Sequence, residues 1–186
     1  VQALFPQLHD AEAVAIIFLF SYLRPDHERR VKELLTSELN IPIVCSADVL
    51  PEYREYERAS TTVVNASLRP IVGGYIEKLA NELKERKINA SFEIMQSSGG
   101  LIDAGIASDH SENLLFSGPA GGVAATQYWG EISGNENLIA FDMGGTSCDV
   151  SLIANGRALQ RVESKLAGYQ VRVPMVDIHS VGAGGG

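Results

Sequence analysis

FDMGGTSCDVSLI, residues 141–153 of a 186-residue chain, is the stretch from which the fold is predicted. An apolar strand leads to Asp142, and a second, alternating strand begins at Asp149. Between the two strands, Gly144 and Gly145 form a turn without side chains, which lets backbone N–H groups come close to an anion. The pattern therefore predicts a β-hairpin whose tip binds phosphate, and an ordinary glycine hairpin turn is the alternative.

The side chains next to this turn favour the phosphate-binding interpretation. Asp142 ends the first strand, where a carboxylate can hold a metal ion or its water shell, and Thr146 adds a hydroxyl hydrogen bond. An aspartate, two glycines and a hydroxyl on a hairpin differ from the strand-to-helix loops of the Walker A and Rossmann patterns. Neither of those two patterns occurs in the sequence.

The composition is ordinary for a soluble globular protein, with 45% hydrophobic and 20% charged residues. The net charge is −8 and no basic stripe exists, so nucleic acid and anionic membrane surfaces are not expected as partners. The longest apolar run, Ala13–Phe20, is too short to span a bilayer and predicts a buried strand. Two cysteines, Cys45 and Cys148, lack the spacing of a disulfide framework, which predicts a cytoplasmic location. Both ends of the sequence look cut, so an excised piece of a longer protein is expected.

Strand and helix patterns alternate up to about residue 137. The predicted strands in this region are 13–20, 43–45, 91–95 and 114–116. A long helical pattern lies between the second and third strands, and Pro70 is expected to kink or split it. Its apolar face comprises Val64, Leu68, Val72, Tyr75, Leu79 and Leu83. The alternation predicts a parallel sheet with helices on its faces, and the later switch to hairpins predicts the start of a second α/β unit.

Six stretches occur together in a fixed order along the chain. They are HERRV (27–31), EYREYERASTTVVNA (52–66), MQSSGGL (95–101), SGPAGGV (117–123), FDMGGTSCDVSLI (141–153) and VRVPMVDIHSVGAGGG (171–186). This series resembles the hydantoinase A / 5-oxoprolinase family, and a series is more specific than any single motif. That family belongs to the actin-like ATPase superfamily, in which ATP lies between two related lobes that each offer a phosphate hairpin led by an aspartate.

The resemblance implies an α/β chain with a partial actin-like (ribonuclease H-like) ATPase fold, a mixed sheet with flanking helices followed by β-hairpins. Residues 1–131 would form the C-terminal part of the first lobe, including a connecting helix at Ser117–Trp129. Residues 132–186 would start the second lobe with its phosphate hairpin. The first phosphate hairpin and the adenine-binding segment are missing, so this piece alone is expected to have little or no ATPase activity.

The function implied by the resemblance is that of an ATP-dependent cyclic amidohydrolase, which couples ATP hydrolysis to ring opening. A related branch of the family carboxylates small ketones. The expected cofactors are ATP and Mg²⁺, and the expected partners are a small cyclic amide and a second hydantoinase/oxoprolinase-type subunit or domain. The alternative is a nucleotide-responsive assembly subunit of a hydantoinase or ketone carboxylase complex, with the chemistry completed by a partner chain.

The site residues are assigned residue by residue from the hairpin and from the glycine-rich C-terminal stretch. The expected catalytic residues are Asp142 and Asp149; the expected nucleotide-binding residues are Gly144, Gly145, Thr146, Ser147, Gly184 and Gly185; the expected metal ligands are Asp142, Asp177 and His179. Asp177 and His179 are two residues apart and so share one face of a strand. Two ligands do not define a metal site, and a hydrogen-bonded strand pair beside a glycine turn is the alternative for them.

Overall fold

A computed structural model describes residues 2–184, and these divide into two compact units. The first unit comprises the residues up to Ser91 together with Ser108–Glu112 and Glu163–Arg172. The second unit comprises Phe92–Ala107, Asn113–Val162 and the residues from Val173 onward. The predicted boundary between residues 131 and 132 does not coincide with this division.

The secondary structure of the described residues mixes helices with short strands. The helices are α1 (Asp26–Thr36), α2 (Ser46–Val49), α3 (Glu55–Glu85), α4 (Ala104–Asp109) and α5 (Ser117–Ser133), with 3₁₀ turns at Gln2–Gln7 and Ser111–Leu114. The strands are β1 (Val14–Ile16), β2 (Ile43–Cys45), β3 (Glu93–Met95), β4 (Leu101–Asp103), β5 (Leu138–Met143), β6 (Cys148–Ala154), β7 (Arg157–Ala158), β8 (Gln160–Arg161), β9 (Ser164–Leu166), β10 (Tyr169–Val171), β11 (Met175–Val176) and β12 (Ile178–Val181). None of these helices combines the length and the apolar character needed to cross a membrane.

The predicted α/β class is confirmed, but the predicted parallel sheet is wrong. Within residues 2–184, β1 and β2 form the one parallel pair, and the other strand pairs are antiparallel. β3 pairs with β4 because only a five-residue loop, residues 96–100, joins them, and a parallel crossover needs a dozen or more residues. Gly99 in this loop has a φ of +84°, which glycine adopts without strain. The strand expected at 114–116 is absent, because the chain there leaves a 3₁₀ turn and enters α5.

The core of the first unit lies between the β1–β2 pair and α1. Its buried side chains are Ile16, Leu35, Ile43 and Cys45. The strand predicted over Ala13–Phe20 ends at Ile16, because the chain then turns with Phe20 at a φ of 60°. Phe18, Leu19 and Phe20 are exposed rather than buried.

Helix α3 differs from its prediction in two respects. It continues through Pro70 without a break, so the expected split is wrong. Its buried side is also mostly polar: Arg58, Thr61, Thr62, Asn65, Ala66 and Ile76 are buried, whereas Tyr75 of the predicted apolar face is exposed. The apolar periodicity was misleading here because buried hydroxyl, amide and guanidinium groups find hydrogen-bond partners in the fold.

The second unit is built around a four-stranded antiparallel sheet, in which β6 pairs with β5, β12 and β7. The register pairs Leu138 with Ile153 and Ala140 with Ser151, and these side chains lie on one face of the sheet. Helix α5 packs on this face, where Ala120 and Val123 join Ala140, Ile153 and Val176 in the core. This packing explains why α5, expected to lie with the first lobe, belongs to the same compact unit as the hairpin.

Candidate functional site

The loop between β5 and β6 has the hairpin form that the sequence predicts. It comprises residues 144–147, and the Gly144 N–H donates to the Ser147 carbonyl at 2.9 Å. Neither Gly144 nor Gly145 has a φ in the left-handed region. A Cβ atom built on Gly145 would meet no described atom within 4 Å, and one on Gly144 would meet only the Ser147 carbonyl at 3.9 Å. The fold of the described residues therefore does not itself require glycine at either position.

Two carboxylates lie directly behind this loop. Asp142 and Asp149 are paired across β5 and β6, so their side chains lie on the same face of the sheet, the face that carries α5. A Cβ atom on Gly122 of α5 would lie 3.7 Å from Oδ2 of Asp142, so the helix leaves room beside this carboxylate. Among residues 2–184, no side chain or backbone donor bonds to the carboxylate of Asp142.

Asp149 is held more firmly than Asp142. Ser180 of β12 pairs with Asp149 in the register, and its hydroxyl donates to Oδ1 of Asp149. Asp142, Asp149 and Ser180 thus form a row across three adjacent strands. This hydrogen bond fixes the orientation of the Asp149 carboxylate and leaves its second oxygen available as an acceptor.

A cleft of about 310 Å³ opens between α5 and this face of the sheet. Its lining residues are Pro119, Gly122, Val123, Thr126, Ala140, Phe141, Asp142, Asp149, Val150, Ser151 and Ile178. The two acidic residues are the charged groups of the lining. We refer to this space, together with the loop at residues 144–147, as the hairpin cleft. A volume near 300 Å³ lies at the small end of the range for ligand pockets.

The glycine-rich stretch after β12 runs beside the tip of the hairpin. A Cβ atom on Gly184 would overlap the Gly145 carbonyl and the Thr146 nitrogen, so only glycine fits at this position in the described structure. Gly184 therefore lies beside the hairpin tip, and its assignment to nucleotide binding stays a prediction. Gly185 lies outside the described residues, and its assignment stays a prediction.

The other two expected metal ligands lie elsewhere on the sheet. β12 pairs Ile178 with Ser151, which lines the hairpin cleft, so Asp177 and His179 belong to the opposite face. Asp177 forms an ion pair with Arg161 at 3.5 Å, and His179 is exposed. The structure thus brings Asp142 together with Asp149 but not with Asp177 and His179. Within the described part of the chain, no three His, Cys, Asp or Glu side chains cluster closely enough to hold a metal ion.

The two thiols are poorly placed for chemistry in the hairpin cleft. Cys148 pairs with Met143 in the register and lies on the face opposite Asp142. Cys45 lies in the first unit, where burial, reinforced by the nearby Asp48 carboxylate, raises the pKa of its thiol to about 11. A thiol with so high a pKa is protonated at neutral pH and is a weak nucleophile.

Sequence reasoning did not single out Ser180, Gly122 or Thr126 as site residues. Ser180 follows His179 in a stretch whose predicted site residues were two metal ligands and two glycines, and its role depends on the β6–β12 register. Gly122 and Thr126 lie one helical turn apart on α5, and both line the hairpin cleft. The sequence predicted only a connecting helix over Ser117–Trp129, and the approach of Gly122 to the Asp142 carboxylate depends on the packing of α5 against the sheet.

The family of the chain follows from comparison with known proteins. Residues 58–186 match the protein family described as Hydantoinase/oxoprolinase, and residues 1–39 match the family described as Hydantoinase/oxoprolinase N-terminal region. The chain belongs to the hydantoinase/oxoprolinase family. The resemblance found in the sequence is thereby confirmed, and the hairpin cleft lies in the part covered by the main family match.

Individual members of the hydantoinase/oxoprolinase family resemble the chain closely. It is 39% identical to caprolactamase subunit alpha of Pseudomonas jessenii over 94% of its length, and 38% identical to 5-oxoprolinase of Saccharomyces cerevisiae, also over 94%. The crystal structure of the ATP-dependent caprolactamase from P. jessenii matches 100% of the chain with a TM-score of 0.86 at 34% identity. The nucleotide-free structure of acetone carboxylase, an enzyme of ATP-dependent acetone carboxylation, matches 97% of the chain with a TM-score of 0.81 at 34% identity.

The chain spans only a part of these relatives. It covers 25% of the caprolactamase subunit and 13% of the yeast 5-oxoprolinase. Among the solved structures it covers 27% of the caprolactamase chain and 26% of the acetone carboxylase chain.

Proposed function

We propose that this chain supplies nucleotide-binding elements of an ATP-dependent enzyme that opens a cyclic amide, of the hydantoinase or 5-oxoprolinase type. The observation that carries the proposal is the hairpin cleft, where glycines that the described fold does not require lie in front of a carboxylate without a protein partner. The actin-like arrangement, with residues 141–153 as its second phosphate hairpin, is part of the same proposal.

The loop binds the nucleotide through its backbone. N–H groups of residues 144–147 approach phosphate oxygens where no Cβ atom of Gly144 or Gly145 stands in the way. The hydroxyls of Thr146 and Ser147 add further donors. Gly184 closes the cradle from the side.

The carboxylates of the cleft fit Mg²⁺ better than they fit a softer metal. Mg²⁺ takes oxygen ligands and usually needs only one or two carboxylates, since waters and phosphate oxygens complete its shell. Asp142, which accepts no hydrogen bond from the described residues, is the ligand in this proposal. When bound, Mg²⁺ neutralises the charge that develops on transferring phosphate. Asp177 and His179, on the opposite face, are not ligands of this same ion.

The chemistry follows from the stability of the amide. Resonance makes ring opening slow in neutral water, and phosphorylation of the amide oxygen by ATP, which releases ADP, removes that resonance. Water then adds to the activated carbon, the C–N bond breaks as the nitrogen takes up a proton, and the phosphoryl group leaves as inorganic phosphate, so that a carboxylate and an amine remain. The protein must then mainly position the reactants and neutralise charge. Asp149, oriented by the Ser180 hydroxyl, is placed to accept a proton or to orient the attacking group.

The experiment measures phosphate release from Mg·ATP by the whole protein with its partner subunit. The panel comprises L-5-oxoproline, hydantoins, and acetone with bicarbonate, each compared with ATP alone. We expect stimulation by a cyclic amide. Stimulation by acetone with bicarbonate alone would instead place the protein in the ketone-carboxylating branch.

Two further outcomes decide between the proposal and its alternative. If the folded protein binds ATP but no compound stimulates phosphate release, an assembly role for this chain replaces the catalytic one. The described chain alone, which spans about a quarter of the caprolactamase subunit, is expected to bind ATP no more tightly than about 1 mM. Tight binding by the isolated chain would contradict the expectation that the missing parts complete the nucleotide site.

A further inference from the structure

The first unit has a cleft of its own, with a volume of about 230 Å³. Four segments of that unit supply its lining: α1, the stretch from β2 into α2, α3, and the segment 108–112. The volume is below the usual range for whole small-molecule ligands, so the cleft suits a single functional group. We refer to this space as the Lys32 cleft.

Three basic side chains from three of these segments line the Lys32 cleft. They are Lys32 of α1, Arg69 of α3 and His110. Nζ of Lys32 lies 3.7 Å from the Asp48 carboxylate, which is beyond hydrogen-bond distance. The guanidinium of Arg69 donates to a carboxylate through Nη2, and the ring of His110 bonds through Nδ1. Within the described part of the chain, Nζ of Lys32, Nη1 of Arg69 and Nε2 of His110 therefore remain available to a ligand.

A buried carboxylate stands behind His110. Glu112 is 3% exposed, accepts from the Asn65 amide and bonds with Nδ1 of His110 at 3.2 Å. The Asn65 amide, which is itself buried, also donates to the Asp109 carbonyl at 2.9 Å and so fixes this segment on α3. The hydrogen bond with Glu112 raises the pKa of His110, which favours the imidazolium. An imidazolium donates through Nε2 as well as through Nδ1.

The two acidic side chains of the lining already have basic partners. Asp48 lies 3.4 Å from Nη2 of Arg29, and Asp109 accepts from Arg69. The lining thus holds three basic side chains and two acidic ones, in a chain whose net charge is −8. A local excess of basic groups on an acidic protein attracts an anion.

The rest of the lining carries no charge. It comprises Val44, Cys45 and Val49. Burial, reinforced by the Asp48 carboxylate, raises the pKa of the Cys45 thiol to about 11, so this group is neutral and does not repel an anion. Apolar surroundings also strengthen the hydrogen bonds that charged donors make.

We infer that the Lys32 cleft binds a phosphate group. Donors supplied by three separate segments suit a tetrahedral group with several oxygens, whereas a planar carboxylate offers only two. Lys32 contributes a compact charge and Arg69 a planar pair of donors, and both groups are common partners of phosphate. The inference does not depend on the proposed function, because the hairpin cleft belongs to the second unit. Inorganic phosphate and the phosphate group of a larger molecule share this chemistry.

Titration calorimetry with inorganic phosphate at constant ionic strength tests the assignment. The sample is the whole protein with its partner subunit, with a non-hydrolysable ATP analogue present to fill the nucleotide site. We expect Lys32→Gln to weaken phosphate binding about tenfold, as the loss of a charge-assisted contact does. Asp48→Asn should strengthen it severalfold, because it removes an opposing charge and leaves Lys32 to the anion. Arg30→Gln, which removes the same charge from α1 at a side chain that donates to Glu33, is the matched control and should change nothing.

Methyl phosphate separates the two sources of the ligand. Equal binding of both probes assigns the cleft to the phosphate group of a larger molecule, and binding of inorganic phosphate alone assigns it to the free ion. The inference is overturned if the wild-type protein binds neither probe below about 10 mM. It is also overturned if Lys32→Gln, Asp48→Asn and Arg30→Gln all leave the affinity unchanged, since the phosphate then binds elsewhere. Lys32 and Asp48 are both partly exposed and only loosely paired, so both variants should fold like the wild type.

Discussion

Glu28 and Asp142 are both carboxylates, and the fold treats them in opposite ways. Glu28 is fully buried in the first unit. It accepts hydrogen bonds from the Phe18 N–H at 2.8 Å, the Ser46 hydroxyl at 2.6 Å and the Ala47 N–H at 2.9 Å. Asp142 is exposed and accepts none from the described residues. The first carboxylate holds the fold together, whereas the second is left available to a ligand.

The same contrast separates two glycines of the second unit. Gly99 has a φ of +84°, and a Cβ there would lie 3.5 Å from Val176, so its local backbone explains it. Gly145 has an ordinary φ and open space around it. The comparison teaches that reactive or unusual residues are functional candidates where the fold makes no use of them. Each prediction below tests whether one of these residues is used by the fold or by a ligand.

The largest effect is expected for Asp142→Asn. Losing one oriented charge in a closed site costs about 3 kcal/mol of barrier, so ATP turnover of the whole protein should fall by about a hundredfold or more. The free energy of unfolding should stay the same, because no described residue bonds to this carboxylate. Asp10→Asn, which changes an exposed aspartate of the first unit, is the control. Full turnover by Asp142→Asn would show that this carboxylate has no part in catalysis.

Glu28→Gln should have the opposite effect to Asp142→Asn: it should lower the stability of the fold and leave ATP turnover unchanged. An amide cannot accept from all three donors, and its own NH₂ would face one of them, so the free energy of unfolding should fall by about 2 kcal/mol. ATP turnover per folded molecule should not change. Glu33→Gln on the same helix removes only an exposed ion pair with Arg30 and should cost less than about 0.5 kcal/mol. Denaturant unfolding of both variants measures the difference, and equal losses would mean that the burial of Glu28 contributes nothing.

These two carboxylates also show how far the sequence predicts the molecule. Asp142 was identifiable because its signal is local: a strand end, two glycines and a hydroxyl within five residues. Glu28 gave no such signal, because its three donors come from residues 18, 46 and 47, which are separated from it along the chain. Local patterns predicted the hairpin, whereas contacts between distant segments decide which polar groups become buried.

Strand pairing failed in the prediction for the same reason. Alternating strand and helix patterns favour parallel pairing, but the loop that joins β3 to β4 is too short for a crossover. The separation of Asp142 from Asp177 and His179 depends on the register of β12 against β6, which no single segment encodes. Ser180 was overlooked for that reason too, although it is adjacent to His179 in the sequence. Candidate residues on one hairpin could thus be named from the sequence, whereas the neighbours that strand register brings to them could not.

A smaller effect is expected from alanine at the two glycines of the comparison. Gly145→Ala should leave the free energy of unfolding unchanged or raise it by about 0.5 kcal/mol, since Ala fits an ordinary φ. It should weaken ATP binding, because a methyl group then stands where the phosphate approaches. Gly99→Ala should cost about 1 kcal/mol of stability through its left-handed φ. If Gly145→Ala destabilises the fold as much as Gly99→Ala does, the hairpin glycines are structural and the contrast fails.

The smallest effect is expected for His110 of the first unit, which pairs with the buried carboxylate of Glu112. The hydrogen bond with Glu112, at 3.2 Å, raises the pKa of His110 above its ordinary value of 6.5, with support from the Asp109 carboxylate and against burial and the charge of Arg69. Because the pKa of His110 is higher in the folded state than in the unfolded state, protonated His110 stabilises the fold. This contribution to the free energy of unfolding is complete below pH 6.5 and is lost as the pH rises through the folded-state pKa. Between about pH 6 and about pH 9, the wild-type chain should therefore lose more stability than His110→Gln, in which no proton is released. Denaturant midpoints at both pH values measure this difference. Parallel pH profiles would mean that Glu112, like Glu28, is held by neutral donors such as the Asn65 amide and does not need the histidine charge.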